Sequence, residues 1–80
     1  MDIAKLHNLA ISDTGFIFDP VSGNCFTTNE TGLFIINCLK TGKSIEQIVQ
    51  DMVKEYIVEQ EVGEQDILQL IEDLRSHYLI

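Results

Sequence analysis

The segment TGKS, residues 41–44, has the lysine and hydroxyl tail of a phosphate-binding loop. The G-x-x-x-x-G-K-[ST] pattern needs its first glycine at position 37, which is Asn37, and it needs a strand before it where this chain has a helical pattern. Gly42 as the left-handed residue ending one helix and Ser44 as the N-cap of the next account for the segment. His7 and His77 lie at opposite ends, with no Cys, His or Asp at metal-ligand spacing. Glu72 and Asp73 are adjacent on a helix, so their side chains point about 100° apart and cannot share a substrate. Cys25 and Cys38 form no CxxC motif, and each reads as a small buried thiol. NET, residues 29–31, matches a glycosylation sequon, but Asn29 is better used as a helix cap. With no nucleophile beside a base and no ligand cluster, these residues predict a non-enzyme without metal or cofactor.

The elements that position such residues are short. KLHNLAIS, GFIFD and NCFTT are rich in β-branched, aromatic and alternating residues, and the turn-forming clusters DTG and PVSG separate them. They predict a three-stranded antiparallel meander, with Phe16 and Phe18 on one face of the second strand and Ile17 on the other. Three helices should follow. Asn29 caps the first, which runs over Leu33, Phe34, Ile36 and Leu39 to Gly42. Ser44 and Gln47 form a capping box for the second, whose apolar stripe is Ile45, Ile48, Val49, Met52, Val53 and Tyr56. VEQEVGEQ reads as a polar connector before the third helix, in which Ile67, Ile71, Leu74 and Tyr78 make the core stripe. Leu70 falls on one shoulder of that stripe, and Leu68 with Arg75 on the other. The fold class is α+β, and residues 1–80 read as one domain.

Composition narrows the function. The chain has 5 Lys plus Arg against 13 Asp plus Glu, a net charge of −8, of which residues 41–80 carry −6 through three basic and nine acidic side chains. Such a surface repels phosphate backbones, which bind proteins largely by exchanging counterions for basic side chains. A winged-helix DNA-binding regulator, the alternative on fold grounds, would need cations on its recognition helix; the second helix offers only Lys54 and the third only Arg75. No stretch approaches the roughly 20 apolar residues of a membrane span, and MDIAKLHNLAIS lacks the apolar run of a signal peptide. The expectation is a cytoplasmic protein with neither nucleic-acid nor membrane partners.

One feature asks for a partner. The strand Asn24–Thr28 ends the meander without the charge, proline or bulge that normally blunts a sheet edge. Beside a helix, such an edge is suited to strand addition, in which a guest backbone supplies the missing hydrogen bonds. The other occupants to weigh are the chain's own N-terminal residues and a second copy, so the molecule reads as a monomer or a weak homodimer.

GFIFDPVSGNCFTTNETGLFIINCLKTGKSIEQIVQDMVKEY, followed by QDILQLIEDLRSHYLI, resembles the PqqD-like family of peptide chaperones, the RiPP recognition elements. The resemblance covers about residues 11–80. It rests on an ordered series: a Gly-aromatic-x-aromatic-Asp strand, a glycine-containing turn, an aromatic, an N-x-T-G helix start, the L-x-x-G-x-S join and a tyrosine closing the second helix. It implies a winged-helix-like fold and a non-catalytic role. In that role the leader segment of a ribosomally made precursor peptide lies as an extra strand beside the third strand, against the third helix, and is presented to a modifying enzyme such as a radical SAM protein. Carried across, the peptide-binding edge would be Asn24, Cys25, Phe26, Thr27 and Thr28, and the helical wall would draw on Ile67, Leu68, Ile71, Leu74 and Arg75.

Overall fold

The computed structural model describes residues 3–56 and 58–80. A single helical turn, α1 (Ile3–Leu6), precedes strands β1 (Ala10–Ile11), β2 (Phe16–Phe18) and β3 (Cys25–Thr27). Three longer helices follow: α2 (Glu30–Lys40), α3 (Ile45–Tyr56) and α4 (Gln60–Ser76). The sheet is antiparallel in the order β1-β2-β3, so β3 is an edge strand as expected.

The first strand is shorter than the sequence suggests. KLHNLAIS was expected to be extended throughout, but Leu6 and Leu9 sit three residues apart and both enter the core, a helical spacing. Backbone bonds from His7, Asn8 and Leu9 to the carbonyls three residues earlier hold this stretch in turns. Only Ala10 and Ile11 are left to pair with Phe18 and Ile17. In β2 the alternation holds: Ile17 is buried, while Phe16 on the opposite face is exposed.

The helix joins match their sequence signals. Asn29 Oδ1 accepts the Gly32 N–H at 2.9 Å and caps α2. At the other end Gly42 has φ +83; its N–H reaches the Leu39 carbonyl and the Lys43 N–H reaches that of Cys38, the two bonds of a Schellman motif. Ser44 and Gln47 exchange their bonds at 3.1 and 2.9 Å, completing the capping box of α3. Lys43 meets the Asp51 carboxylate at 2.6 Å. All four residues of TGKS thus serve a helix–helix corner.

The core gathers Leu6, Leu9, Ile17, Ile35, Ile36, Cys38, Leu39, Ile48, Val49, Met52, Ile67, Leu70, Ile71, Leu74 and Leu79. In α2 the buried face is Gly32, Ile35, Ile36, Cys38 and Leu39, while Leu33 and Phe34 are half-buried; Phe34 meets Tyr56 edge to face at 5.3 Å. In α3 the stripe is wider than the core it feeds, because Ile45 and Val53 stay exposed.

Helix α4 departs from expectation at both ends. It starts at Gln60, inside the stretch expected to be a connector, and Glu59 at its N-cap makes no side-chain bond. Gly63 is buried there, facing Val58, Met52 and Val49 at 3.6–4.0 Å from where a Cβ would stand. At the far end the helix stops at Ser76, so Tyr78 is not a core residue: it takes φ 59 and is 71% exposed. The Tyr78 N–H bonds to the Arg75 carbonyl and the Leu79 N–H to that of Leu74, a second Schellman closure. That reversal carries Leu79 into the core in place of the tyrosine.

Candidate functional site

The edge strand β3 is built by the turn before it. Asp19 closes β2 with a buried carboxylate that accepts the Val21 N–H at 2.9 Å and the Ser22 hydroxyl at 2.8 Å. The Ser22 hydroxyl bond, then the Val21 N–H, hold its pKa below the usual 3.8. The Asp19 N–H donates to the Asn24 carbonyl at 2.8 Å, and at the other end of the ladder the Thr28 N–H donates to the Gly15 carbonyl at 2.8 Å. Gly15 has φ +96, and a Cβ there would stand 2.0 Å from the Thr28 carbonyl oxygen, so no other residue can hold this close approach.

These two end bonds set the parity of the whole strand. In an antiparallel ladder the bonded residues alternate, so Asn24, Phe26 and Thr28 turn their backbone groups toward β2. Cys25 and Thr27 therefore turn their N–H and C=O groups outward. Their side chains are exposed, whereas Phe26 is half-buried against the core. Cys25 is thus not the buried thiol the sequence suggested, because it stands on the open edge; Cys38 is buried, and burial raises its pKa.

Beside this edge a groove of 440 Å³ runs between β3, the first turn of α2 and one face of α4. Its lining is Phe26, Thr27, Thr28, Asn29, Thr31, Gly32 and Ile35 on one side, and Asp66, Gln69, Leu70 and Asp73 on α4. His77, just past α4, packs edge to face on Phe26. Asp66, Leu70, Asp73 and His77 follow one another by four, three and four residues, a single stripe at the helical period.

This is not the wall the sequence suggested. Ile67 and Leu74 are 0% exposed and support the fold from inside, so they offer no surface to a guest. Ile71 is buried with them. Leu68 is 49% exposed but lies about 160° around the helix from Leu70, facing away from β3. Arg75 shares that far side and meets Glu72 at 3.4 Å. The edge residues and α4 do come together, but through the Leu70 shoulder, where Asp66, Gln69 and Asp73, none of them among the expected residues, line the groove and His77 packs on Phe26. Their spacing from Leu70 was readable; the side of α4 on which β3 lies was not.

A second concavity, of 480 Å³, lies between α3 and α4 and is lined by Ile45, Glu46, Val49, Gln50, Val53, Gln60 and Glu64. It has no strand edge and so no row of free backbone groups. Among the described residues no group of three or more His, Cys, Asp or Glu is placed to hold a metal ion, and no helix is long and apolar enough to cross a membrane.

A search of curated proteins gives no match. Among solved structures, one described as lasso peptide synthetase B1 complexed with the leader peptide is similar with a TM-score of 0.75 and 32% identity, over 85% of this chain and 81% of that one. The model of the family described as coenzyme PQQ synthesis protein D (PqqD) matches residues 15–80, from Gly15 under the β3 ladder to the end of the chain. The chain belongs to the PqqD family.

Proposed function

We propose that this domain binds the leader segment of a ribosomally made precursor peptide by strand addition to β3, and presents it to a modifying enzyme such as a radical SAM protein. The observation that carries the proposal is the outward-facing backbone of Cys25 and Thr27 beside the α4 groove, in a chain similar to a synthetase complexed with a leader peptide. A guest strand there gains up to four backbone bonds from the two residues and sets alternate side chains over the half-buried Phe26 and against Asp66, Gln69 and Asp73 of α4. The domain itself does no chemistry in this role; it holds the leader so that an enzyme acts on the segment beyond it. The modifying enzyme is the partner implied by the family resemblance.

NMR titration of the labelled domain with the leader segment of a candidate precursor peptide tests this directly. Shifts are expected at residues 25–28 and along Asp66, Gln69, Leu70 and Asp73, with Ile48 and Met52 in α3 quiet. Shifts centred on α3, or on the concavity at Ile45 and Val53, would place the guest elsewhere and overturn the reading. Sedimentation of the free domain separates the remaining occupant, since a second copy pairing β3 to β3 would appear as a dimer that the leader dissociates.

A further inference from the structure

The groove has a sign as well as a shape. Asp66 and Asp73 both line it, seven residues and so about 10 Å apart along α4. No lysine or arginine lines it with them. Among the described residues the ion pairs are Lys43 with Asp51 and Arg75 with Glu72, so neither groove carboxylate has a cation within 4.0 Å. Asp73 Oδ1 accepts the Gln69 amide at 3.0 Å, which orients that carboxylate and leaves Oδ2 free. Between the two acids lie Gln69 and the edge of Leu70, which is 6% exposed, and across from them the half-buried Phe26 ring is the main apolar surface of the groove.

We infer that the guest selected here is a cationic strand, an extended segment in which one apolar side chain is flanked on the same face by lysine or arginine. The inference rests on the strand-addition reading and adds to it the chemical class of the guest. Along a strand, same-face positions fall about 6.6 Å apart, so cations two places either side of an apolar residue span about 13 Å. The long, flexible stems of lysine and arginine close the difference to the two carboxylates. An aspartate or glutamate at the same positions would face like charge in a groove that has no counter-ion to offer. The net charge of −8 acts in the same direction at longer range, by steering cationic peptides toward the protein.

The test uses two synthetic peptides in one Val/Thr strand background, one with Lys-x-Leu-x-Lys and one with Glu-x-Leu-x-Glu at the centre. Both are titrated by NMR into the intact domain and into an Asp66→Asn, Asp73→Asn double variant. The lysine peptide should bind at least about tenfold more tightly than the glutamate peptide, with shifts at residues 25–28. The double variant should reduce that preference by about three- to thirtyfold, the worth of two exposed charge contacts. Equal affinities with shifts at residues 25–28 would overturn the charge selection and leave strand addition standing. A lysine preference that survives the double variant, or shifts scattered over the acidic surface, would show general attraction only and also overturn it. No shift at residues 25–28 with either peptide would remove strand addition itself, and the inference with it.

Discussion

Phe26 of β3 and His77 at the end of α4 meet edge to face, ring centroids 4.8 Å apart and planes at 60°. The contact ties the open strand to the helix that forms the other wall of the groove. Aromatic pairs of this kind are worth about 0.5–1.5 kcal/mol beyond their buried area, and the exposure of His77 puts this one toward the lower end. His77→Ala should therefore lower the urea midpoint by a corresponding amount at unchanged m-value. A variant indistinguishable from the parent would mean that the contact does not fasten β3 to α4.

Proline separates the two sides of β3. The Thr27 N–H faces away from β2, so Thr27→Pro removes no ladder bond and should cost little stability, while it takes one donor from the guest and crowds the edge. Leader affinity should fall at least tenfold, about 1.4 kcal/mol. Phe26→Pro breaks the bond toward Ile17 and should unfold the sheet. Circular dichroism with urea melts, followed by titration calorimetry of the folded variant, reads both outcomes; equal effects at the two positions would contradict the strand parity.

The two shoulders of α4 give a second pair. Leu68→Glu should leave both stability and leader binding within about 0.5 kcal/mol of the parent, because Leu68 points away from the groove. Gln69→Lys, on the groove side, should change leader affinity and its salt dependence with little change in melting temperature. Loss of binding in Leu68→Glu would move the guest to the far face of the helix.

Asp19 makes the loop before β3 acid-sensitive. Its carboxyl pKa is held below the usual 3.8 by the Ser22 hydroxyl and the Val21 N–H, so its contribution is complete above the unfolded value and is lost as pH falls from about 3.8 through the lower folded value. Stability measured from pH 6 down to pH 2 should decline in the parent partly through this group. Asp19→Asn should be less stable at pH 6, and the gap between the two should narrow in acid; a constant gap would remove Asp19 from the acid response.

Gly63 offers a gain. It sits in α4, where glycine costs about 0.5–1 kcal/mol relative to alanine, and an added Cβ would meet Val58, Met52 and Val49 in ordinary contact at 3.6–4.0 Å. Gly63→Ala should raise the melting temperature. A fall would show that α3 and α4 pack more tightly than these distances allow.

The meander, the three principal helices apart from the ends of α4, the Asn29 and Ser44 caps and the Gly42 corner were all legible in the sequence, because each depends on residues within a few positions of one another. So was the open edge, since a missing charge, proline or bulge is itself a local fact. Three features depended on the path of the whole chain. Leu6 and Leu9 were drawn into the core and made the first strand two residues long. The Schellman closure after Ser76 exchanged Tyr78 for Leu79, a choice made by which of them could reach the space beside Leu74. Helical periodicity gave α4 two shoulders of equal standing, Leu70 and Leu68. Only the packing of α4 against α3 and α2 decided that Asp66, Leu70 and Asp73 face the β3 groove, because a helix's period orders its faces without saying which neighbour each will meet.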